Sequence, residues 1–365
     1  MLRPQLRMIE RRYTLHLLVK CATSAFVVYI VFLYAGWAVA AIAAVMLARG
    51  GMLPITVLVL RMFAPTEALL NDLMRRSDTN PQPNTQKTSA GGRNHKLRYG
   101  LSSMQGWRRS MEDSHAAILA EDGGFFAVFD GHNGVAAADF CGENLFGFVK
   151  NTEAYARRNY EKALYDGFIA IDKHLFETQS KNRSGCTAVA LLVEGDTMYC
   201  ANAGDSRCVL CRNGAPIALS VDHKPFNGGE QSRIERAGGY VWNKRVNGML
   251  ALSRAIGDFA FKANSKVAWE DQAVTSAPEV RTLPIDHDHD DFAVIACDGI
   301  WDVMSNEEVC LFVKSHMADG ATLEQICERL MDKCLSPQPF GLGCDNMSVI
   351  IVAFAKVASE DAAQQ

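Results

Sequence analysis

The chain has 365 residues, 48% hydrophobic and 21% charged, with a formal net charge of −4, the composition of a globular protein long enough for one large domain plus an appendage. Its globular part shows no dense Lys/Arg stripe with interleaved aromatics, which excludes a nucleic-acid partner. The eleven cysteines are odd in number and lie mostly inside apolar patterns, as Cys200, Cys297, Cys310 and Cys327 do, so a disulfide scaffold is excluded and a reducing compartment is expected.

From Cys21 to Ala48 every residue is apolar or small and none is charged; about 20 such residues span a bilayer as a helix. Arg3, Arg7, Arg11, Arg12 and Lys20 precede the stretch. It is long for a signal-peptide core and no small-x-small cleavage site leads into a folded domain, so a membrane anchor over residues 1–70 is expected rather than a cleaved leader. Met52 to Leu60, with Pro54 inside, is too short to span and reads as re-entrant or interfacial. Residues 71–96 are rich in Asn, Gln, Pro, Thr and Ser without an apolar period, which predicts a flexible linker. Residues 97–357 carry the globular pattern, and 358–365 form a short tail.

Within the globular part the spacing predicts helices over Val135–Phe148, Tyr160–Thr178, Gln231–Ala237 and Leu323–Leu335, among short strands punctuated by Gly and Asp. Phe125–Phe129 is a continuous apolar run that ends in Asp130-Gly131-His132, and Phe292–Cys297 ends in Asp298-Gly299 in the same way. A third copy runs backwards, with Asp345 ahead of Met347–Val352. Such runs read as strands covered on both faces. If the three are antiparallel neighbours, the start of the last lies beside the ends of the others. Three carboxylates then converge on one sheet edge, where their mutual repulsion and desolvation call for a counter-cation.

Other constellations are less decisive alone. Arg108 stands four and five residues ahead of Glu112 and Asp113; the pattern fits an exposed salt-bridged loop as well as a guanidinium fork for phosphate beside carboxylates for metal-bound water. Asn202–Arg207 is a tight turn between two strand-like runs, and turn chemistry leaves Asp205 unexplained. Asp286–Asp291, with His287 and His289, precedes a strand and reads as a solvated turn rather than a metal box. Cys208 and Cys211 lie three apart in a strand, facing opposite sides, and read as core and strand-surface residues.

The motifs Tyr99–Arg108 with Met111-Glu112-Asp113, Asp130-Gly131-His132, Ser184–Ala188, Gly204–Arg207, Asp222–Pro225, Arg245–Gly248, Leu252–Asp258, Cys297–Asp302 and Asp345–Ser348, in this order, strongly resemble the metal-dependent protein serine/threonine phosphatases of type 2C, the PPM family. The resemblance covers residues 97–357, and Cys186 stands where relatives often have Ser. It implies an α+β fold of two antiparallel β-sheets packed as a sandwich and flanked by helices, with the metals at one end. It implies Asp130 as the carboxylate bridging two Mg²⁺ or Mn²⁺ ions, the Gly131 carbonyl as a ligand of one, and Asp298 and Asp345 as ligands of the other. Glu112 and Asp113 match positions that hold metal-bound water. Asp205, with Asp298 and Asp302, matches a weaker third metal site. Arg108 resembles the phosphate clamp, His132 the general acid, and Arg245 and Asp258 match positions of supporting role.

The implied activity is hydrolysis of phosphoserine and phosphothreonine in proteins by a water that bridges the two ions. All-oxygen ligation suits Mg²⁺ or Mn²⁺, and a poor alkoxide leaving group calls for a proton from His132. A catalytically dead binding module is the rival, but it would lack one of Asp130, Asp298 or Asp345, all present here. A membrane scaffold that merely docks partners is the other. The expected partners are phosphoprotein substrates and a membrane, and the catalytic domain is expected to be monomeric. The positive-inside rule puts the N-terminus in the cytosol, and a single crossing would then place the enzyme outside. Reduced cysteines and phosphoprotein substrates favour the cytoplasmic side, which a re-entrant Met52–Met62 would restore.

Overall fold

Strand Gly123–Phe129 shows how the sequence builds the layers. Phe125, Ala127 and Phe129 point to one face and pack under helices, while Phe126 and Val128 point to the other and meet a second sheet. A strand in this position must be apolar at every residue, which is why no polar alternation marks it. The computed structural model describes residues 79–355.

In chain order the strands are β1 (Thr79–Arg93), β2 (Leu97–Arg108), β3 (Ser114–Leu119), β4 (Gly123–Phe129), β5 (Gly131–His132), β6 (Gly185–Cys186), β7 (Ala188–Glu194), β8 (Thr197–Ala203), β9 (Arg207–Arg212), β10 (Ala215–Ala218), β11 (Val241–Trp242), β12 (Arg245–Val246), β13 (Ile256–Gly257), β14 (Glu279–Pro284), β15 (Asp290–Ala296) and β16 (Met347–Phe354). The helices are α1 (Ala136–Lys150), α2 (Glu153–Ala156), α3 (Tyr160–Gln179), α4 (Gly228–Arg236), α5 (Asp298–Trp301), α6 (Asn306–Ala318) and α7 (Leu323–Cys334). A six-stranded sheet of order β1-β2-β16-β15-β9-β10 faces a five-stranded sheet of order β14-β8-β7-β4-β3, and every pairing in both is antiparallel. Leu101, Phe126, Leu191, Leu210, Ile295 and Ile350 fill the space between them. Leu145, Leu164 and Phe168 of α1 and α3 cover the five-stranded sheet, and Val309, Ile326 and Leu330 of α6 and α7 cover the other. The expected α+β sandwich of antiparallel sheets flanked by helices is therefore what forms.

Three expectations change. The linker over residues 71–96 is corrected at its C-terminal end, because β1 pairs along β2 from Lys87 with Met104 to Arg93 with Arg98. A backbone ladder needs no apolar face, and an edge strand tolerates the polar side chains and prolines that suggested a tether. Asn94 closes the hairpin by accepting from the N–H groups of Lys96 and Leu97 at 2.9 and 2.7 Å. Lys87 Nζ to Asp332 at 2.6 Å and Ser89 Oγ to Glu328 at 2.7 Å pin the strand to α7.

The three carboxylate-bearing strands are also not all neighbours. β15 and β16 pair, with Ala296 opposite Val349, whereas β4 belongs to the opposing sheet and delivers Asp130 across the sandwich. Cys211, finally, is not a strand-surface residue; Cys208 faces the inter-sheet core and Cys211 is buried under the helices of the other face. The apolar segment 21–48, the piece Met52–Met62 and the tail 358–365 lie outside the described residues, among which no helix is long and apolar enough to cross a membrane.

Candidate active site

Five connections at one end of the sandwich each bring a charged side chain. Arg108 ends β2, Asp130 follows β4, Asp205 sits in the turn that carries the chain from β8 in one sheet to β9 in the other, Asp298 opens α5 after β15, and Asp345 precedes β16. All five line one cleft of about 510 Å³, together with Glu112, Gly131 and His132. Arg245 lines it too, with Nη1 on the Met249 carbonyl at 2.8 Å. Asp302 is exposed and stands off the cleft wall one turn beyond Asp298, whose carbonyl accepts its N–H at 2.8 Å.

Asp113 is buried beneath the cleft floor, within ligand-sharing distance of Asp130 and Cys297; their donor atoms lie within 4.8 Å of one another. Both of its carboxylate oxygens are buried and have no hydrogen-bond partner among the described residues. Desolvation, with the Asp345 charge added, pushes its carboxyl up to about 7. Desolvation and then the charges of Asp298, Asp113, Asp345 and Asp205 hold Asp130 well above the ordinary carboxylate range. Asp298 is raised in the same way by desolvation, Asp205, Asp345 and Asp302. Carboxylates that destabilise one another this strongly fit a bound cation. The Cys297 thiol is pushed well above its usual range by burial and the surrounding carboxylates, and it donates to the Asn346 carbonyl at 3.5 Å. The donors left are oxygens, which suits a hard divalent ion.

Several contacts hold the geometry. Asn346 accepts the Glu112 N–H at 2.9 Å and donates to the carbonyls of Gln105 and Ser110 at 2.7 and 2.9 Å, which clamps the loop that carries Arg108, Glu112 and Asp113. Arg108 reaches Asp345 through Nη2 at 2.6 Å. Gly131 leaves room for this packing, since a Cβ there would stand 2.1 Å from the Glu112 carbonyl oxygen. Lys224 pairs with Asp205.

His132 sits in a small sheet, β5-β6-β13, beside the main sandwich. Its Nε2 meets Asp258 Oδ2 at 2.6 Å. Burial alone would lower its pKa, but the hydrogen bond and charge of Asp258, helped by Asp205 and Glu112, outweigh it and raise the value. The roles of Asn346 and Lys224 were not legible in the sequence, although both follow Asp345 and His223 inside recognisable motifs. Asp258, which matches a motif position of supporting role, is the partner of His132.

A ring of oxygen donors flanked by a guanidinium and a hydrogen-bonded imidazole, at the end of a helix-flanked β-sandwich, defines a metal-dependent hydrolase of phosphoryl groups. The family model described as protein phosphatase 2C matches residues 97–339. Protein phosphatase 2C homolog 2 of Schizosaccharomyces pombe is 46% identical over 286 residues, spanning 75% of this chain and 77% of that protein. Homolog 3 of the same organism is 47% identical over 283 residues, 74% of this chain and 68% of the relative. Among solved structures, a phosphatase from a pathogenic strain of Toxoplasma gondii is similar with a TM-score of 0.65 at 25% identity, covering 75% of this chain and 97% of that one. The chain belongs to the protein phosphatase 2C family, and it is a metal-dependent protein serine/threonine phosphatase.

Proposed function

We propose that Asp130, the Gly131 carbonyl, Asp298 and Asp345 hold two Mg²⁺ or Mn²⁺ ions, with Glu112 and Asp113 supporting them through water and Asp205, Asp298 and Asp302 offering a weaker third position. The observation that carries this reading is the Asp113 carboxylate, buried beside Asp130 and with no partner for either oxygen among the described residues. Bound ions of this kind lower the pKa of a water and offset charge on the phosphoryl oxygens. Arg108 supplies a planar donor fork at the cleft wall for the remaining phosphate oxygens. Its contact with Asp345 orients the guanidinium before substrate arrives. His132 supplies a proton to the serine or threonine alkoxide, and Asp258 holds its ring in place and raises its affinity for that proton. Substrates are phosphoserine and phosphothreonine side chains of proteins.

Isothermal titration with Mn²⁺ tests the assignment without reference to turnover. Wild-type protein takes up two ions with heat that Asp130→Asn abolishes, while its folded circular dichroism persists because lost repulsion offsets lost ligation. Unchanged uptake by Asp130→Asn contradicts the site.

We propose further that residues 21–48 anchor the enzyme in a membrane, with a monomeric catalytic domain on the cytoplasmic side. The support is the uncharged apolar length of that segment and the largely buried, free cysteines of the catalytic domain.

A further inference from the structure

Behind His132 and Asp258 lies a charged pair that none of the metal or phosphate chemistry uses. Asp172 of α3 and Lys262 have fully buried side chains, joined from Oδ2 to Nζ at 2.6 Å. Asp172 also accepts the Gly257 N–H on Oδ1 at 2.8 Å and the Trp269 indole N–H on Oδ2 at 2.7 Å. Lys262 donates a second bond to the Ala255 carbonyl at 2.8 Å. The pair thus grips the backbone at Ala255 and Gly257, in the stretch that leads into Asp258.

That stretch needs gripping. Gly257 and Asp258 both adopt left-handed backbone conformations, φ 84° and 52°, and for a non-glycine residue this conformation is costly unless its surroundings impose it. Opposite the turn, Gly185 leaves no room for a side chain: a Cβ there would lie 2.4 Å from Asp258 Oδ2 and 2.7 Å from His132 Nε2. The His132 to Asp258 contact is therefore held between a bare backbone on one side and a turn tied to α3 on the other. A buried ion pair is weak support for stability, since desolvation consumes most of its attraction, but it can fix a conformation.

We infer that Asp172, with Lys262 and Trp269, is a positioning residue for catalysis: it locks the Gly257–Asp258 turn so that Asp258 holds the His132 ring in the orientation that delivers a proton to the leaving alkoxide. The inference rests on the proposed acid role of His132.

The test is a double-mutant cycle on two substrates, a phosphothreonine peptide and an aryl phosphate, whose phenolate leaves without protonation. Asp172→Asn/Lys262→Met removes both buried charges together, and Trp269→Phe removes one donor only. The second keeps the experiment decisive if the first does not fold. With the charge-free pair, kcat on the peptide falls about 10- to 100-fold with KM within about twofold, while the aryl phosphate loses less than about threefold. Trp269→Phe shows the same discrimination at smaller amplitude. Added to His132→Ala, either change costs less than about a further twofold on the peptide, because the group it orients is gone. Equal losses on both substrates, or losses that multiply fully with His132→Ala, overturn the positioning role and leave Asp172 a fold-supporting residue. If His132→Ala alone slows both substrates equally, the acid assignment itself fails and takes the inference with it.

Discussion

Asn346 makes three side-chain hydrogen bonds to backbone groups of the Gln105–Glu112 segment, and no other described side chain bonds the Glu112 N–H. Asn346→Ala leaves those groups to water or unpaired, at about 1–3 kcal/mol for each that stays buried. Because the same loop carries Arg108, Glu112 and Asp113, a thermal melt should show lower stability and steady-state kinetics a higher requirement for Mn²⁺. A variant with wild-type melting and wild-type Mn²⁺ dependence would show that the clamp is dispensable. Arg108→Lys keeps the charge and loses the fork, so KM for phosphopeptide should rise about tenfold or more, the value of roughly one charge-assisted hydrogen bond. Unaltered KM removes Arg108 from phosphate recognition. The carboxylates at Asp130, Asp298 and Asp345 were legible because each interrupts an apolar run at a strand end. Asn346, Lys224 and Asp172 were not, since their partners lie far away in sequence and an amide, a lysine after His or a helical Asp carries no local pattern.

At the level of elements, the long apolar strands and the helices under them followed from period and composition. The predicted Tyr160–Thr178 and Leu323–Leu335 helices match α3 and α7 to within a residue at each end. Helix α6 passed unnoticed although Ser305 and Glu308 form a capping box at its start, because its buried face is carried by only Val309, Cys310 and Val313. Strand β1 was hidden for the opposite reason: its stability comes from backbone pairing and contacts with α7, and its polar side chains resemble a tether. A protein that begins at Leu97 therefore exposes the β2 edge and strips α7 of the Lys87 and Ser89 contacts. Its melting temperature should fall by several degrees below that of a protein beginning at Arg76, with more aggregation from the bared edge. Equal melting and solubility of the two would return β1 to the status of an ornament.

For the molecule as a whole, the carboxylate cluster sets how stability depends on pH and metal. Asp113 rises from 3.8 to about 7 on folding, and Asp130 and Asp298 move in the same direction. A raised carboxyl binds its proton more tightly folded than unfolded, so the metal-free protein loses stability as pH rises from about 4 through about 7. Glu230 opposes this only at lower pH: despite its burial, Arg254 and Arg233 hold it down to about 2, so its contribution fades as pH falls below 4.5. Melting temperatures in chelator should accordingly be higher near pH 5 than near pH 8, and added Mg²⁺ should raise the pH 8 value most. A metal-free profile that rises steadily to pH 8 contradicts the crowded cluster. For the proposed anchor, protease added to sealed vesicles of known orientation should cut the catalytic domain from the cytoplasmic face; protection on the lumenal side refutes the placement. Metal-dependent hydrolysis at the carboxylate cluster is tested most directly by phosphate release from a phosphothreonine peptide, measured for wild type and Asp130→Asn with Mn²⁺, with chelator, and after Mn²⁺ is restored. Chelator should abolish turnover and metal restore it, and Asp130→Asn should lose about a thousandfold or more at every Mn²⁺ concentration. Chelator-resistant hydrolysis, or wild-type turnover by Asp130→Asn, would contradict metal-dependent hydrolysis at this cluster.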